Sequence, residues 1–503
     1  MRLLRRNALG VYGVYAASIV SGLVVTPLIV HHLGKAGLGV WTFIGGVTIY
    51  LSVLDFGVGP SVVRFGAEAR GRGANEDLNE IASTGLFVYA VIGLITLPVG
   101  AVLAWLVPWL SHAPHGLVWD ARISTFLVVL SLAARFPLGL FNNLLVAQQR
   151  WDLQNLGNFV STALYAGLLA ALLPFWSGLV LLGAVTLGTT LLRLLLPLAW
   201  LRKELPGLRV RRRLVTRERL RQLLAFSWSN FLVHVAQKIV FSTDVVVIGI
   251  VLGTTATGDY TPAAKLFALA FGIGTAITSL MLPAFAELEG AGDVDRQRHL
   301  LLSGLRAGTA TMLLLALPLL LMPDLLIHAW IGGGFRASYA PMALLAAVLL
   351  VHQPMYVLTQ FLIARAMQKE VARVSILTTL ANLALSIALA EVWGIWGVAL
   401  STLVTDVAAI LFVVPRLAAP AASSSTGQLA RAVLQPLAAS LVAAGLVLVA
   451  FARAWRPQTM PECAVVGVLW TVVAGCSIWR FGLSSGERAS MSRHLRPRQA
   501  GGM

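Results

Sequence analysis

Apolar stretches of about 20 residues, each closed by a short polar or Gly/Pro break, recur along the whole of this chain. A helix rises about 1.5 Å per residue, so each stretch is long enough to cross the roughly 30 Å hydrocarbon core of a bilayer. No water satisfies backbone N–H and C=O groups there, which leaves helices and closed barrels as the spanning structures. The alternating ten-residue segments of barrel strands are absent from the sequence. The pattern predicts an all-α polytopic membrane protein with about 14 transmembrane helices, near residues 8–31, 38–58, 84–109, 123–147, 155–175, 177–200, 224–252, 259–284, 303–323, 340–364, 373–390, 395–415, 432–452 and 461–479. The weakest separations fall after residues 175 and 390, where the break is only a Pro or Gly-Trp turn. Composition agrees: 12% of residues are charged, against about 25% in soluble domains. So few ionisable side chains cannot cover a water-facing surface, which excludes a soluble enzyme.

With a net charge of +17, the question becomes which side of the membrane holds the cations. If the N-terminus is cytoplasmic, 29 of the 38 Lys and Arg residues fall on the cytoplasmic side, nine of them between Arg202 and Arg221. Five fall outside, at Lys35, Arg122, Arg336, Arg453 and Arg456, and four lie within spans, at Arg135, Arg193, Lys238 and Lys265. The positive-inside rule then places both termini in the cytoplasm, in agreement with an even number of spans. The first apolar segment reads as an uncleaved span, too long for a signal peptide and without a small-residue cleavage site. The Arg211–Arg213 run reads as positive-inside charge attracted to anionic lipid, so membrane lipids are expected partners and nucleic acid is not. Cys463 and Cys476 stand 13 positions apart in one helical stretch, about 20 Å by helical rise, too far for a disulfide.

The chain matches itself at a constant offset. Leu33, Gly34, Gly39 and Thr42 fall on Leu252, Gly253, Gly258 and Thr261, 219 positions later. The same offset carries Ala67 and Glu68 onto Ala286 and Glu287, and Ala147, Gln149 and Arg150 onto Ala366, Gln368 and Lys369. Six spans separate equivalent positions, an even number, so the repeats share one orientation. The expected organisation is an N-terminal six-helix lobe (1–205), a basic cytoplasmic linker (206–222), a C-terminal six-helix lobe (223–417), an additional helix pair (418–482) and a basic cytoplasmic tail (483–503). Parallel repeats that rock against each other produce alternating access in secondary transporters, which makes this plan functional evidence by analogy.

Five stretches then carry a resemblance: TPLIVHHLGKAGLGVW (Thr26 to Trp41), YLSVLDFGVGPSVVRFGAEARGRG (Tyr50 to Gly73), AQQRWDLQN (Ala147 to Asn155), FSTDVVVIGIVLG (Phe241 to Gly253) and WGIWGVALSTL (Trp393 to Leu403). In order and spacing they resemble the Wzx-like polysaccharide flippases, the O-antigen and lipid-linked oligosaccharide translocases of the multidrug/oligosaccharidyl-lipid/polysaccharide exporter superfamily. The resemblance implies export of a sugar chain on a polyprenyl pyrophosphate, from the cytoplasmic to the outer leaflet of a bacterial inner membrane. It also implies a proton or sodium ion as coupling partner, and polysaccharide assembly proteins as further partners.

Ionisable groups inside a membrane cost about 2.5–3.5 kcal/mol at a helix centre by insertion scales, so they tend to face a cavity or a partner. In span 7, Asn230, His234, Gln237 and Asp244 share one face at about 100° per residue, with Phe241 among them and Lys238 at the edge. Asn, Gln and His also hydrogen-bond between packed helices, so packing competes with a cavity for this stripe. Under the repeat, Tyr15 takes the place of His234, and Tyr12 adds a second hydroxyl on span 1. A pyrophosphate in a low-dielectric site needs cations, which makes Lys238, Lys265 and Arg193 its candidate ligands. Asn230, Gln237, Tyr12 and Tyr15 complete the candidate substrate cavity. Arg135 reads instead as snorkelling to an interface. For ion coupling the candidates are Asp244, His234 and Asp406; Asp55 reads chiefly as a structural cap.

No cofactor is expected. No P-loop is present, His31-His32 lacks further ligands at metal spacing, and Asp55-Phe56-Gly57 spells a kinase triplet without the accompanying kinase motifs. Two alternatives remain, a drug or metabolite–cation antiporter of the same superfamily and a polytopic glycosyltransferase or polymerase. The second needs outer carboxylates, and Asp120, Asp324, Glu391 and Glu462 are scattered on short loops.

Overall fold

The computed structural model describes residues 2–279, 281–438, 459–477 and 480, with the side chains of 2–9, 11–12, 228–242, 277, 412–414, 460 and 464 outside the description. Helices α1 (Arg2–Leu51), α2 (Val58–Gly71), α3 (Asn75–Leu110), α4 (Val118–Ala147), α5 (Trp151–Leu172), α6 (Leu179–Glu204) and α7 (Arg217–Val251) are followed by α8 (Thr254–Thr278), α9 (Met281–Gly290), α10 (Val294–Leu321), α11 (Pro323–Ile331), α12 (Tyr339–Ala364), α13 (Gln368–Ala408) and α14 (Val414–Ala421). Residues 426–438 and Met460–Ser477 are also helical. No strand occurs among the described residues. Nine helical stretches there are long and apolar enough to cross a membrane, and two of these are broken by a glycine into a pair of limbs, α1 at Gly34 and α13 at Gly394. The expected spans fit this arrangement, with spans 1 and 2 running as one bent helix, as do spans 11 and 12; span 13 (432–452) and the tail (483–503) lie mostly or wholly outside the described residues.

The repeat is visible in the backbone. Gly34 and Gly253, 219 apart, both carry positive φ, as do Gly73 and Gly292. An L side chain is penalised at such a φ, so glycine marks the same bend in both copies. The register slips further along. Ala147 ends α4 and Ala364 ends α12, and the left-handed residues that follow are Gln149 (φ 58°) and Ala366 (φ 57°). These positions differ by 217, so the gapless match of Ala147, Gln149 and Arg150 to Ala366, Gln368 and Lys369 is corrected by two residues. The second copy is two residues shorter between these points, and its α10 and α11 together span the counterpart of α3.

Two compact units are present, Met1–Thr261 and Pro262–Met503. In the first, Val58, Val62, Phe65, Leu78, Ile81, Leu140, Leu144 and Leu223 form a buried core joining α2, α3, α4 and α7. The linker is strapped to α3: the backbone N–H of Arg209 donates to Asn79 Oδ1 (2.7 Å) and that of Arg211 to Ser83 Oγ (3.1 Å). Thr216 caps α7 by accepting from the Arg219 N–H, and Arg219 then reaches Glu80 (2.8 Å) and Asp77. These carboxylates raise the guanidinium further above its ordinary value, the hydrogen bond to Glu80 contributing most. Ser61 Oγ meets Ser227 Oγ at 2.8 Å, so α7 packs on this unit. In the second unit Phe285, Leu301, Leu305, Val357, Phe361 and Ala418 bury one core, and Leu313, Leu317 and Trp470 another.

Candidate functional site

A cavity of about 310 Å³ opens within the first unit, lined by Asp55, Tyr89, Arg135, Asn142, Asn143, Gln154, Asn158 and Arg193 among others. Its construction begins at the end of α1. A 3-10 turn, Ser52–Asp55, is followed by left-handed Phe56 (φ 47°) and Gly57 (φ 76°), which turn the chain into α2. That turn presents Asp55 to α3, where the Tyr89 hydroxyl donates to Asp55 Oδ1 at 2.8 Å. Asn143 of α4 donates to the same Tyr89 oxygen at 3.3 Å. Tyr89 is 2% exposed and Asp55 half-buried, and a buried hydroxyl holds its place only with such partners. Asp55 is therefore no simple cap but the end of a hydrogen-bonded chain running through α1, α3 and α4.

Arg135 on α4 and Arg193 on α6 face the same cavity. Neither guanidinium forms an ion pair with a carboxylate among the described residues. Two like charges in one partly dry space repel each other, and an entering anion relieves that repulsion. Around them Asn142, Asn143, Gln154 and Asn158 offer amide donors and acceptors suited to hydroxyls. The lining can hold one anionic centre beside a polyhydroxylated one. Arg135, expected to snorkel, lines this cavity instead.

The other sequence-derived candidates that the structure describes lie elsewhere. Tyr15 on α1 is 45% exposed, and the Tyr12 side chain lies outside the described residues, as do those of Asn230, His234, Gln237 and Lys238. Asp244 on α7 accepts a hydrogen bond of 2.9 Å from the hydroxyl of Tyr260, which is 1% exposed. Next to Tyr260, Asp259 pairs with Lys35 at 2.7 Å. Lys265 is exposed on α8 and belongs to the second unit, and Asp406 on α13 is 7% exposed in that unit, 2.8 Å from His352 Nδ1. Of the named substrate ligands among the described residues, Arg193 is placed in this cavity and Tyr15 and Lys265 are not. Sequence reasoning passed over Tyr89, Asn142, Asn143, Gln154, Asn158 and His352. Two signals were available: Gln154 stands in the AQQRWDLQN stretch and Asp55 in YLSVLDFG, both among the segments that carried the resemblance.

Residues 4–289, more than half of the chain, match the polysaccharide biosynthesis protein family. The chain belongs to this family. Another similar protein is the "Uncharacterized membrane protein EpsK" of Bacillus subtilis strain 168, 25% identical over 406 residues and covered to 77% in both chains. Among solved structures, this polysaccharide biosynthesis protein resembles the lipid II flippase MurJ in an inward closed conformation, with a TM-score of 0.71 at 15% identity over 94% of this chain and 99% of that one. It resembles equally an inward-facing multidrug resistance transporter of the MATE family, MOP superfamily, with a TM-score of 0.71 at 14% identity over 80% and 95%. The fold is that of the MATE transporters and of the MurJ flippase.

Proposed function

We propose that this protein flips a polyprenyl-pyrophosphate-linked oligosaccharide from the cytoplasmic to the outer leaflet of a bacterial inner membrane, by alternating access, for polysaccharide biosynthesis. The observation that carries the reading is the cavity lined by Arg135 and Arg193, which form no ion pair with a carboxylate among the described residues, beside four amide side chains. Guanidinium groups hold phosphate oxygens through forked, charge-assisted hydrogen bonds, and amides match sugar hydroxyls. Two guanidinium groups against the one carboxylate of Asp55 leave the lining net positive, which disfavours a cationic drug and weighs against the antiporter alternative. The direction rests on the 29-to-five distribution of cations, which puts the linker and both termini in the cytoplasm. On that orientation Asp55, Asn143 and Gln154 lie toward the cytoplasmic ends of their helices, where a lipid head enters from the side of its synthesis. Lys265 and Lys238 stand as further proposed ligands for the anion, with Tyr15, Tyr12, Asn230 and Gln237.

Binding tests this directly. Inorganic pyrophosphate and a short-chain polyprenyl pyrophosphate are titrated into the purified protein in detergent. Each of Arg135→Gln and Arg193→Gln is expected to weaken binding about tenfold, the equivalent of about 1.4 kcal/mol per lost charged hydrogen-bonding group. Lys265→Gln and Lys238→Gln in the same assay decide their share. Unchanged affinity in the Arg135/Arg193 double variant would remove the assignment.

A further inference from the structure

We infer that His352 and Asp406 form a proton-binding pair inside the second unit, and that this pair, rather than a sodium site, couples transport to an ion gradient. The inference deepens the transport reading and rests on it. His352 on α12 places Nδ1 2.8 Å from Asp406 Oδ2 on α13, across 54 residues of sequence. Asp406 is 7% exposed, and Phe271 of α8 covers the imidazole edge-on, its ring centre 5.1 Å away. A buried carboxylate against a sheltered imidazole costs solvation free energy, so its presence amid apolar helices calls for a function.

A second observation lies in the backbone. Immediately after Asp406 the helix widens into a π-turn, Ala409–Val413. Such turns are rare and occur frequently at functional sites, where they shift the ladder by one residue. Before Asp406, Asn382 donates to Ser401 and Thr402 at 3.2 and 3.1 Å, fastening the two limbs of α13 together across Gly394. Asp406 therefore sits between a fastened segment and a distorted one. Next to His352, Gln353 donates to the Gly274 carbonyl at 3.2 Å, which ties α12 to α8.

The chemistry follows from charge. With a neutral imidazole donating from Nδ1, the pair carries one negative charge. A proton added at Nε2 makes an imidazolium beside the carboxylate, and the pair becomes neutral overall. A neutral pair tolerates sealing from water better than a net charge, so proton occupancy sets which arrangement of the unit is cheap. Imidazole is the side chain that ordinarily changes charge near neutral pH. It is a poor partner for a hard cation, which takes oxygen ligands, and here it occupies the approach to Oδ2. Among the described residues, the other charged or titratable groups on the surrounding helices are Asp259 and Lys265 on α8, Asp295, Arg296, Arg298, His299 and Arg306 on α10, Arg365 just after α12, Lys369, Glu370, Arg373 and Glu391 on α13, and Arg416 on α14. None of them pairs with Asp406 among the described residues.

Two measurements on the full chain test the pair. In reconstituted vesicles, the flux of a fluorescent polyprenyl-pyrophosphate oligosaccharide is read under an imposed pH step or an imposed sodium step. A one-unit pH step is worth up to about tenfold in accumulation for one proton per cycle. The wild type is expected to respond to pH and not to sodium, and the response is expected to vanish in His352→Gln and Asp406→Asn. Asp406→Glu keeps the carboxylate and is expected to restore part of the response, which separates loss of the proton site from loss of the fold. The second measurement does not depend on flux. The 15N resonances of the His352 imidazole, assigned by their loss in His352→Gln, are followed between about pH 5 and 8. They are expected to titrate, with a midpoint that moves in Asp406→Asn. Titration without any lipid flux would leave the pair standing and remove the flippase reading. Sodium-driven flux, a pH response that survives both substitutions, loss of that response only in Asp244→Asn, or an imidazole that does not titrate would overturn the pair.

Discussion

One hydroxyl, that of Tyr89, serves two partners: it donates to Asp55 and accepts from Asn143. Replacing it by Phe keeps the ring against Phe136 and leaves Asp55 without its donor. Such a loss costs about 1 kcal/mol here, the low end of the range for a buried acceptor, because Asp55 is only half-buried. Tyr89→Phe is accordingly expected to lower the unfolding free energy in detergent by that amount, read from chemical denaturation, and unchanged stability would show that water replaces the hydroxyl at no cost. This chain of contacts was only partly legible in the sequence. Arg135 and Arg193 are visible as charges inside apolar spans, but which of them faces a cavity depends on how α4 and α6 are rotated. Where nearly every neighbour is apolar, periodicity does not fix that rotation. Asn142, Asn143 and Asn158 were silent for another reason, since amides stitch packed helices as readily as they line a cavity. His352 and Asp406 meet only through tertiary packing.

At the scale of elements the repeat determines more than the count of helices. Gly39 and Gly258 occupy equivalent places in the two copies and lie against each other: a Cβ on Gly39 would run into the Thr254 carbonyl, and one on Gly258 into the Lys35 carbonyl. Thr42 and Thr261, also equivalent, share a hydrogen bond of 3.1 Å. Two backbones meet here as closely as small residues allow, as in other membrane helix pairs. Gly258→Val must push α8 away from α1 and strain the Lys35–Asp259 pair. The expected outcome is a loss of about 1–3 kcal/mol of stability, the usual cost of overpacking, seen as a lowered melting temperature in detergent. A melting temperature equal to that of the wild type would mean that this crossing is loose. Both glycines were found in the sequence as matches at one offset, yet nothing there showed that the matching positions touch. The two-residue slip before α13 was hidden as well, because Ala, Gln and Arg against Ala, Gln and Lys made an attractive match in the wrong register.

For the whole molecule, the apolar pattern carried most of the fold, since a bilayer admits few solutions to a chain of this kind. Among the described residues, two of the cations assigned to the outer side have structural partners. Lys35 pairs with Asp259, and Arg122 lies 3.7 Å from the Trp105 ring centre and 5.0 Å from that of Trp119. The substrate was less legible, because it is recognised by a handful of polar groups that any transporter of this fold could vary. The most direct test is unidirectional flux in vesicles containing the full chain in one orientation. A fluorescent polyprenyl-pyrophosphate oligosaccharide is supplied on the side of the Arg202–Arg221 linker, and its arrival in the opposite leaflet is followed by chemical quenching. The wild type is expected to move it, and Arg135→Gln with Arg193→Gln to slow it at least about tenfold, the loss of one charged contact. Wild-type rates in that double variant, or transport of a cationic dye in place of the lipid, would contradict a pyrophosphate-guided flippase.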